Sequence, residues 1–435
     1  MRRGRLRKIF ALAVMAVVCV FFGVNVWWKI QDVTDEEKVA RVAGLPVMEI
    51  TLNGITLTEI HDGEKSVKYG GNALTLTTGE EITEYANVEI KGRGNSTWGA
   101  PKRPYQIKFQ DKVALLGMDK AKKWVLLANA FDASEMRTDV AFYLERMLGA
   151  EYALSGEFVK LRVDGEDLGV YFVTPKMEID KSRIDLRDPL GILVEVDNLH
   201  AQTDECWRTR QGNCLVVSDV VNEDEVGAAM TSFVELFSKF EEAAEKGDYE
   251  TVSELVDLEG LAKYYLLEEF TVNPDAYNTS YYFYRDGLDD KIHVGPGWDF
   301  DYALGNRAWW WGYAEDFHSP LKTQVQRLMA FGGELHDAAT GELHGHDGNL
   351  TITRMMYYLM DMPEFYKLVR ETFVGMMQGK KMELLSYVES RLMMAGEEIR
   401  KDNKLWGRDD FDEEIEWLFW WLETRYDYFE QVYGA

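Results

Sequence analysis

Two aspartates, Asp299 and Asp301, stand one residue apart in the segment GPGWDFDYALGN, residues 295–306. Aromatic residues alternate with them, and glycines lie on both sides. Carboxylate oxygens are the ligands that Mg²⁺ and similar divalent cations prefer in proteins. The segment therefore has two interpretations: a metal-binding catalytic loop, or an acidic turn at the end of a strand whose aspartates bond to the local backbone.

A third aspartate, Asp275, reaches the same place if the intervening chain folds as a hairpin. The arms of that hairpin are residues 280–285 and 291–296, with a turn near residue 288. The register is uncertain by a residue or two, but any of these registers brings Asp275 back beside the aspartates of the WDFD segment. Three converging carboxylates repel one another unless a cation lies among them. Two nearby side chains can add neutral oxygen ligands: Asn278 and Ser280.

A second candidate site is the glycine-rich stretch KGRGNSTWGAPKRPYQIKF, residues 91–109. Glycines such as Gly92 and Gly94 allow a backbone to approach an anion closely, and Arg93 adds positive charge. The stretch joins two strands, which excludes the Rossmann and Walker loops because both lead into a helix. A glycine loop followed by a strand lysine, here Lys108, is how protein kinases hold nucleotide phosphates. A hairpin with polar decoration is the alternative.

The elements around these stretches divide the chain into two lobes. Residues 46–200 are rich in short alternating or apolar runs typical of strands. One helix interrupts them at residues 134–149, with Ser134 as its expected cap and Gly149 at its end. The predicted strands are VMEITLN, ANVEIKG, PYQIKFQ, KWVLLAN, EFVKLRVDG and LGVYFVT.

Residues 201–435 are predicted to be mostly helical, with one embedded hairpin. The predicted architecture is α+β, with a β-rich N-terminal lobe, an α-rich C-terminal lobe and a cleft between them. The predicted helices are 223–246, 250–270, 321–331, 350–378, 380–401 and 409–432.

The charge of the chain limits its partners. Of 435 residues, 46% are hydrophobic and 28% are charged, as in a folded globular protein, and the net charge is −27. A surface this acidic repels phosphate backbones. We therefore expect no nucleic acid partner. Divalent cations or basic polypeptides are the more plausible partners.

The N-terminal residues 1–30 resemble a signal-anchor. A basic cluster precedes an apolar run over residues 9–28, long enough to span about 30 Å of hydrocarbon as a helix. The basic cluster predicts a single-pass protein of the cell membrane, with the globular part outside the cytoplasm. A cleaved signal peptide and a secreted protein are the alternative. Residues 31–45 are a polar linker.

Two cysteines, Cys206 and Cys214, enclose a short segment with a Gly-Asn turn. In an extracytoplasmic protein they are placed to form a local disulfide across a hairpin. Two free thiols are the alternative.

Several of these motifs, in this order, resemble the CotH family of spore-coat-type atypical protein kinases. The resemblance covers residues 45–432, so residues 46–435 are expected to form one CotH-like domain after the membrane helix. It implies a fold like a minimal protein kinase that uses ATP and Mg²⁺ or Mn²⁺ to phosphorylate protein Ser or Thr. The motifs are IKGRGNSTWGAPKRPYQIKF, LLGMDKAKKWVLLANAFDASEMRTDVA, LGVYF, ILVEVDN, EEFTVNPDAYNTSYYFYRD, GPGWDFDYALGN and WLETRYDYFEQVY.

The resemblance also implies roles for individual residues. Asp275 matches the catalytic or metal-proximal carboxylate, and Asp299 matches the metal-binding aspartate, which also counts as catalytic. Asp301 is expected to be a second metal ligand, with Asn278 and Ser280 as further candidates. The residues expected near the ATP phosphates are Gly92, Arg93, Gly94 and Lys108.

The sequence departs from the family pattern at two places that can contact nucleotide. Pro175 stands near the position of a usual Glu, and the nearest acid is Glu178. Residues 215–220 lack the usual Lys and Pro. These departures, with the segment WWWGY at 309–313, motivate an alternative function. In it the chain is a non-catalytic surface or scaffold module of the same fold that binds a protein or a cell-wall polysaccharide.

Overall fold

The computed structural model describes residues 44–199, 205–273, 275–276, 279–306 and 351–434. The predicted membrane segment, most of the linker and the segment WWWGY lie outside these ranges, as does the predicted helix 321–331. Within the described ranges, no helix is both long and apolar enough to cross a membrane.

Seven strands of the N-terminal lobe form a closed barrel in the order β1-β2-β3-β4-β5-β7-β6. Neighbouring strands are antiparallel, except that β1 and β6 close the barrel in parallel. Apolar side chains fill the barrel because each strand turns alternate residues inward, as Ile90, Ile107 and Trp124 show. The strands are β1 (Val47–Thr51), β2 (Tyr69–Thr78), β3 (Glu81–Gly92), β4 (Tyr105–Val113), β5 (Ala121–Leu127), β6 (Glu157–Val163) and β7 (Glu166–Pro175).

All six strands predicted from the N-terminal pattern are present, but three elements were missed: β2, the short helix α1 (Leu57–Asp62) and a strand at Ile192–Val196. Strand β2 begins YGGN, which reads as a turn. The structure accommodates it as an irregularity, where the register between β2 and β3 shifts around Asn72. The buried Asn72 amide donates to the carbonyl oxygens of Tyr69 and Val88, replacing the lost ladder bonds.

The second sheet has five strands in the order β12-β11-β8-β10-β9, so the expected lone hairpin is part of a larger sheet. Strand β8 precedes residue 200, yet it pairs with β10 and β11, which follow that residue. A disulfide joins Cys206 to Cys214 beside the β9–β10 pair, which confirms the predicted bridge. The strands are β8 (Ile192–Val196), β9 (Trp207–Arg208), β10 (Cys214–Val220), β11 (Tyr281–Arg285) and β12 (His293–Val294).

Helices cover the second sheet, and two of the predicted helices are each divided in two. The predicted helix 250–270 breaks at Val256, which bridges to Ile292. The predicted helix 350–378 breaks before Pro363, which begins the next helix as prolines commonly do. The helices are α2 (Arg137–Met147), α3 (Val226–Glu245), α4 (Tyr249–Leu255), α5 (Leu258–Thr271), α6 (Thr351–Met360), α7 (Pro363–Met376), α8 (Lys381–Leu405) and α9 (Phe411–Tyr433).

The expected cap of α2 is wrong. The helix begins at Arg137, and its N-cap is Met136, whose side chain makes no capping hydrogen bond. Ser134 instead accepts a hydrogen bond from Met136 N, while a carboxylate oxygen of Asp132 accepts from Arg137 N. Asp132 also pairs with the buried Arg137 guanidinium, so it serves the helix start and the ion pair together.

Candidate active site

A cleft of about 570 Å³ lies between the barrel and the second sheet, as the two-lobe prediction required. The barrel contributes the glycine loop, defined here as residues 92–99, and parts of β3 and β4. The other lobe contributes residues of β8 and β11 and the acidic loop, defined here as residues 295–306. Candidate residues from both sequence stretches, Gly92, Arg93 and Gly94 on one side and Asp299 and Asp301 on the other, therefore line one cavity.

Aromatic residues anchor the acidic loop to the core. Trp298 and Phe300 are buried, and their rings lie 6.0 and 6.4 Å from that of Phe142 on α2. Asp299 and Asp301, which alternate with them, line the cleft, and Trp298 lines it too. Packing of the aromatic rings therefore holds the two aspartates at the cleft.

The backbone at Asp299 has the left-handed conformation, with φ +67, which is uncommon outside glycine. Ser280 shares this feature, with φ +53, and its Oγ donates to Asp299 Oδ2 at 3.3 Å. A non-glycine residue in this conformation costs of order 1–3 kcal/mol of folding free energy. Such residues are concentrated at functional sites.

Asp275 lines the same cleft, so the hairpin argument brought the right residues together. The observed pairs, Phe283 with Val294 and Tyr284 with His293, differ by one residue from a register centred on 288, within the stated uncertainty. Burial first and then the charge of Asp299 raise the pKa of Asp275 to about 7.

Asp301 responds to its two companions in the same way. Burial raises its pKa well above the ordinary value, and the charges of Asp299 and Asp275 raise it further. A cation among these carboxylates would relieve that repulsion, so their chemistry fits a divalent metal. Within the described residues, however, no three His, Cys, Asp or Glu side chains are placed to enclose a metal ion.

The opposite wall of the cleft carries positive charge. Arg93 follows β3, and its guanidinium lies 5.1 Å from the centre of the Trp298 ring. Burial lowers the pKa of Arg93, while the negative charge of Asp299 acts in the opposite direction. Arg93 therefore joins the glycine loop to the acidic loop by stacking and by charge.

Both predicted loop glycines line the cleft, and their surroundings require glycine. A Cβ on Gly92 would lie 2.5 Å from the Trp98 ring. Gly94 has φ +82, and a Cβ there would lie 2.0 Å from Thr97 Oγ1. The loop folds back tightly on itself over the cavity.

The three remaining sequence candidates have different placements. Ser280 lines the cleft, whereas Asn278 lies outside the described residues. Lys108 is not among the described residues that line the cleft; it sits on β4 between Glu89 of β3 and Lys123 of β5. Gln106, on the same face of β4, lines the cleft with its partner Lys91.

The two departures from the family pattern lie away from this cavity. Glu178 is not among the described residues that line the cleft; it accepts hydrogen bonds from Lys123 at 2.7 Å and Arg183 at 3.0 Å. Residues 215–220 belong to β10, and Asp219 accepts a hydrogen bond from Ile179 N. Both places serve structural contacts here.

Sequence reasoning missed Glu195 and Tyr282, which line the cleft from β8 and β11. Burial and then the charge of Asp197 raise the pKa of Glu195 to about 7, while a hydrogen bond from Tyr282 opposes this. The available signal was a single acid within the apolar run ILVEV, where a charged side chain needs a special reason to be buried.

Comparison with known proteins agrees with the motifs. A family model described as CotH kinase protein matches residues 90–429, which is most of the chain. A search of the curated proteins finds no match.

Proposed function

Because this chain belongs to the CotH kinase family, we propose that it transfers the γ-phosphoryl group of ATP to Ser or Thr hydroxyls of a protein. A single arrangement carries the proposal: three carboxylates face an arginine and a glycine loop across one cleft. Phosphoryl transfer needs little covalent chemistry from the protein, because positioning and charge stabilisation supply most of the rate gain. The cleft offers both.

The barrel wall would hold the phosphates. The glycine loop covers the cavity, and the charges of Arg93 and Lys91 on this wall offset those of a triphosphate. Lys108 is still predicted to bind phosphate. Its side chain would have to extend past Gln106, which lines the cleft from the same strand. Stacking on Trp298 fixes the Arg93 side chain, which reduces the entropy lost on binding.

The opposite wall would hold Mg²⁺ or Mn²⁺ through Asp299 and Asp301, with Ser280 and Asn278 as further candidate ligands. When bound, the metal supplies charge neutralisation for the phosphates. Mg²⁺ is commonly held by one or two carboxylates and the substrate phosphates rather than by an all-protein cage.

Asp275 would orient or deprotonate the acceptor hydroxyl. Burial and the charge of Asp299 raise its pKa to about 7 when no cation is bound. A cation held by Asp299 would lower that pKa and favour the ionised form that a general base needs. This role is supported by the location of Asp275 in the same cleft as Asp299 and Asp301.

The cellular location and the partners of the protein are proposed from its N-terminal segment and its family. We propose that residues 1–30 anchor the protein in the cell membrane, with residues 46–435 outside the cytoplasm and a Ser/Thr-containing protein as substrate. The disulfide between Cys206 and Cys214 supports an oxidising compartment. Secretion after signal cleavage, or a surface-protein partner, is the alternative.

The experiment measures transfer of labelled phosphate from ATP, to the enzyme itself and to casein, in the presence of Mn²⁺. We expect Asp275→Asn and Asp299→Asn each to lower the rate at least about 10²-fold. The matched control is Asp289→Asn, an exposed aspartate on the turn of the same hairpin, which should behave as wild type. Equal rates in all four proteins would contradict the proposal.

A second function is a non-catalytic module that binds a protein or a cell-wall polysaccharide. The sequence departures at Pro175 and residues 215–220 motivate it, although neither place is among the described residues that line the cleft. Nucleotide binding distinguishes the two. A kinase should be stabilised against heat by ATP with Mn²⁺ beyond the effect of Mn²⁺ alone. A shift with Mn²⁺ alone and none with ATP would favour the scaffold.

A further inference from the structure

Lys65, in the loop between α1 and β2, touches the glycine loop. Its Nζ donates to the carbonyl oxygen of Gly94 at 2.7 Å and to Oδ1 of Asn95 at 2.9 Å. Lys65 and its neighbour Ser66 also line the cleft. A residue from an early connection of the barrel therefore reaches the tip of the loop that covers the cavity.

The charge of Lys65 is not neutralised by a carboxylate. In the described part of the chain, no Asp or Glu oxygen forms an ion pair with its ammonium group. An ammonium group has three N–H donors. The two acceptors above are neutral, so one donor and a full positive charge remain at the edge of the cleft.

Lys65 precedes the residues that the family model matches. The family model begins at residue 90, and the motifs that carry the resemblance begin at the same strand. Residues 44–89 nevertheless form β1, α1, β2 and most of β3, which are integral parts of the closed barrel. A cleft residue in this segment becomes visible only in the folded chain.

We propose that Lys65 is a phosphate-binding residue of the nucleotide site, an inference that rests on the proposed kinase function. Two of its N–H groups hold the glycine loop through Gly94 and Asn95, and the third donates to a phosphate oxygen of the nucleotide. Lys65 thus supplies, from the α1–β2 loop, positive charge on the barrel side of the cavity. It acts on the same ligand as Arg93, which lines the same cleft.

The test separates phosphate contact from loop support by comparing two ligands. Thermal stabilisation is titrated with ATP plus Mn²⁺ and with adenosine, which lacks phosphates, and KM for ATP is measured in the transfer assay. Lys65→Gln keeps a donor for Gly94 but removes the charge, and Lys65→Met removes both. Lys68→Met is the matched control, since Lys68 is exposed in the same loop and is not among the described residues that line the cleft.

We expect Lys65→Gln to weaken ATP binding and raise KM for ATP at least about tenfold, because a charge-assisted hydrogen bond is lost. Adenosine binding should stay within about twofold, and Lys68→Met should match wild type. Lys65→Met should lose at least as much affinity for ATP. Thermal melting without ligand checks that each variant folds.

Three results would overturn the inference. In the first, Lys65→Gln binds ATP as tightly as wild type while wild type transfers phosphate, so the kinase proposal stands and Lys65 has no phosphate role. In the second, both variants weaken adenosine as much as ATP, which assigns Lys65 to loop structure alone. In the third, wild type neither binds nor uses ATP, so the proposed function fails with it.

Discussion

Glu145 of helix α2 and Gly297 of the acidic loop are joined by a hydrogen bond, in which Gly297 N donates to Glu145 Oε1 at 2.7 Å. Glu145 is 2% exposed, and Gly297 lies two residues before Asp299. The start of the acidic loop is therefore tied to a buried carboxyl group of the helix that also carries Phe142.

The pH dependence of stability should report the Glu145 carboxyl. Burial raises its pKa from the ordinary 4.5 to about 8, so between these values the folded protein keeps a proton that the unfolded chain has released. The stabilisation that protonated Glu145 gives to the folded state is therefore complete below about pH 4.5. As the pH rises toward 8 it is lost, by up to about 1.4 kcal/mol of unfolding free energy per pH unit.

Glu145→Gln removes this titration while keeping an acceptor for Gly297 N. Urea unfolding at pH 5, 6, 7 and 8 should show wild type losing stability relative to the Gln variant as the pH rises. The exposed Glu254→Gln serves as control and should follow wild type. Parallel curves for wild type and Glu145→Gln would show that the buried carboxyl is not protonated.

The glycine loop should not tolerate a side chain at Gly94. Gly94→Ala places a methyl group 2.0 Å from Thr97 Oγ1 in a left-handed backbone, so the loop must move. We expect KM for ATP to rise about tenfold, with a loss of about 1–2 kcal/mol in stability from the backbone conformation alone.

Gly79→Ala is the matched control, because Gly79 also has a positive φ, +60, but has nothing within 4 Å of its Cβ position. It lies in the turn between β2 and β3, and should lose similar stability while KM for ATP stays unchanged. If both variants raise KM alike, the loop geometry at Gly94 has no special part in nucleotide binding.

A buried ion cluster should hold the two lobes together. Lys102 is 2% exposed and contacts Glu135 at 3.1 Å and Asp402 of helix α8 at 2.8 Å. Arg408 contacts the same two carboxylates, and Asp402 Oδ1 accepts from Val170 N on the barrel. Lys102→Met should lower the free energy of unfolding by about 3 kcal/mol, because it leaves excess negative charge buried.

Urea unfolding measures this loss. Lys367→Met is the control, since Lys367 forms an exposed pair with Glu371 at 3.6 Å, and it should show no measurable change. A Lys102→Met protein as stable as wild type would mean that Arg408 alone compensates the two carboxylates.

The disulfide between Cys206 and Cys214 should add to stability. It closes a short loop, with a sequence separation of 8, for which chain entropy predicts about 2–3 kcal/mol. Dithiothreitol should therefore lower the melting temperature of wild type and leave the double variant Cys206→Ser/Cys214→Ser unchanged. An equal response of both proteins to the reductant would contradict a stabilising bridge.

Much of the fold was readable because local patterns report local structure. Alternating or apolar runs predicted the strands β1 and β3 to β7. The helical period of the apolar residues predicted the helices after residue 223. Strand β2 was missed because its opening YGGN is a turn signal that only pairing with β3 overrides. The prediction that Ser134 caps helix α2 was wrong, because a carboxylate oxygen of Asp132 accepts the hydrogen bond from Arg137 N at the start of the helix.

The sequence by itself determined that Asp275, Asp299 and Asp301 lie on one cleft, because a hairpin relates them by counting along one chain. It also determined the family, through motifs in order. Only the tertiary structure decided that Glu195, Lys91 and Gln106 line the cleft. It alone also brings Lys65 to Gly94, 29 residues along the chain. Which strand faces turn toward a cavity depends on how the barrel closes and where the second sheet docks, and local spacing does not encode either.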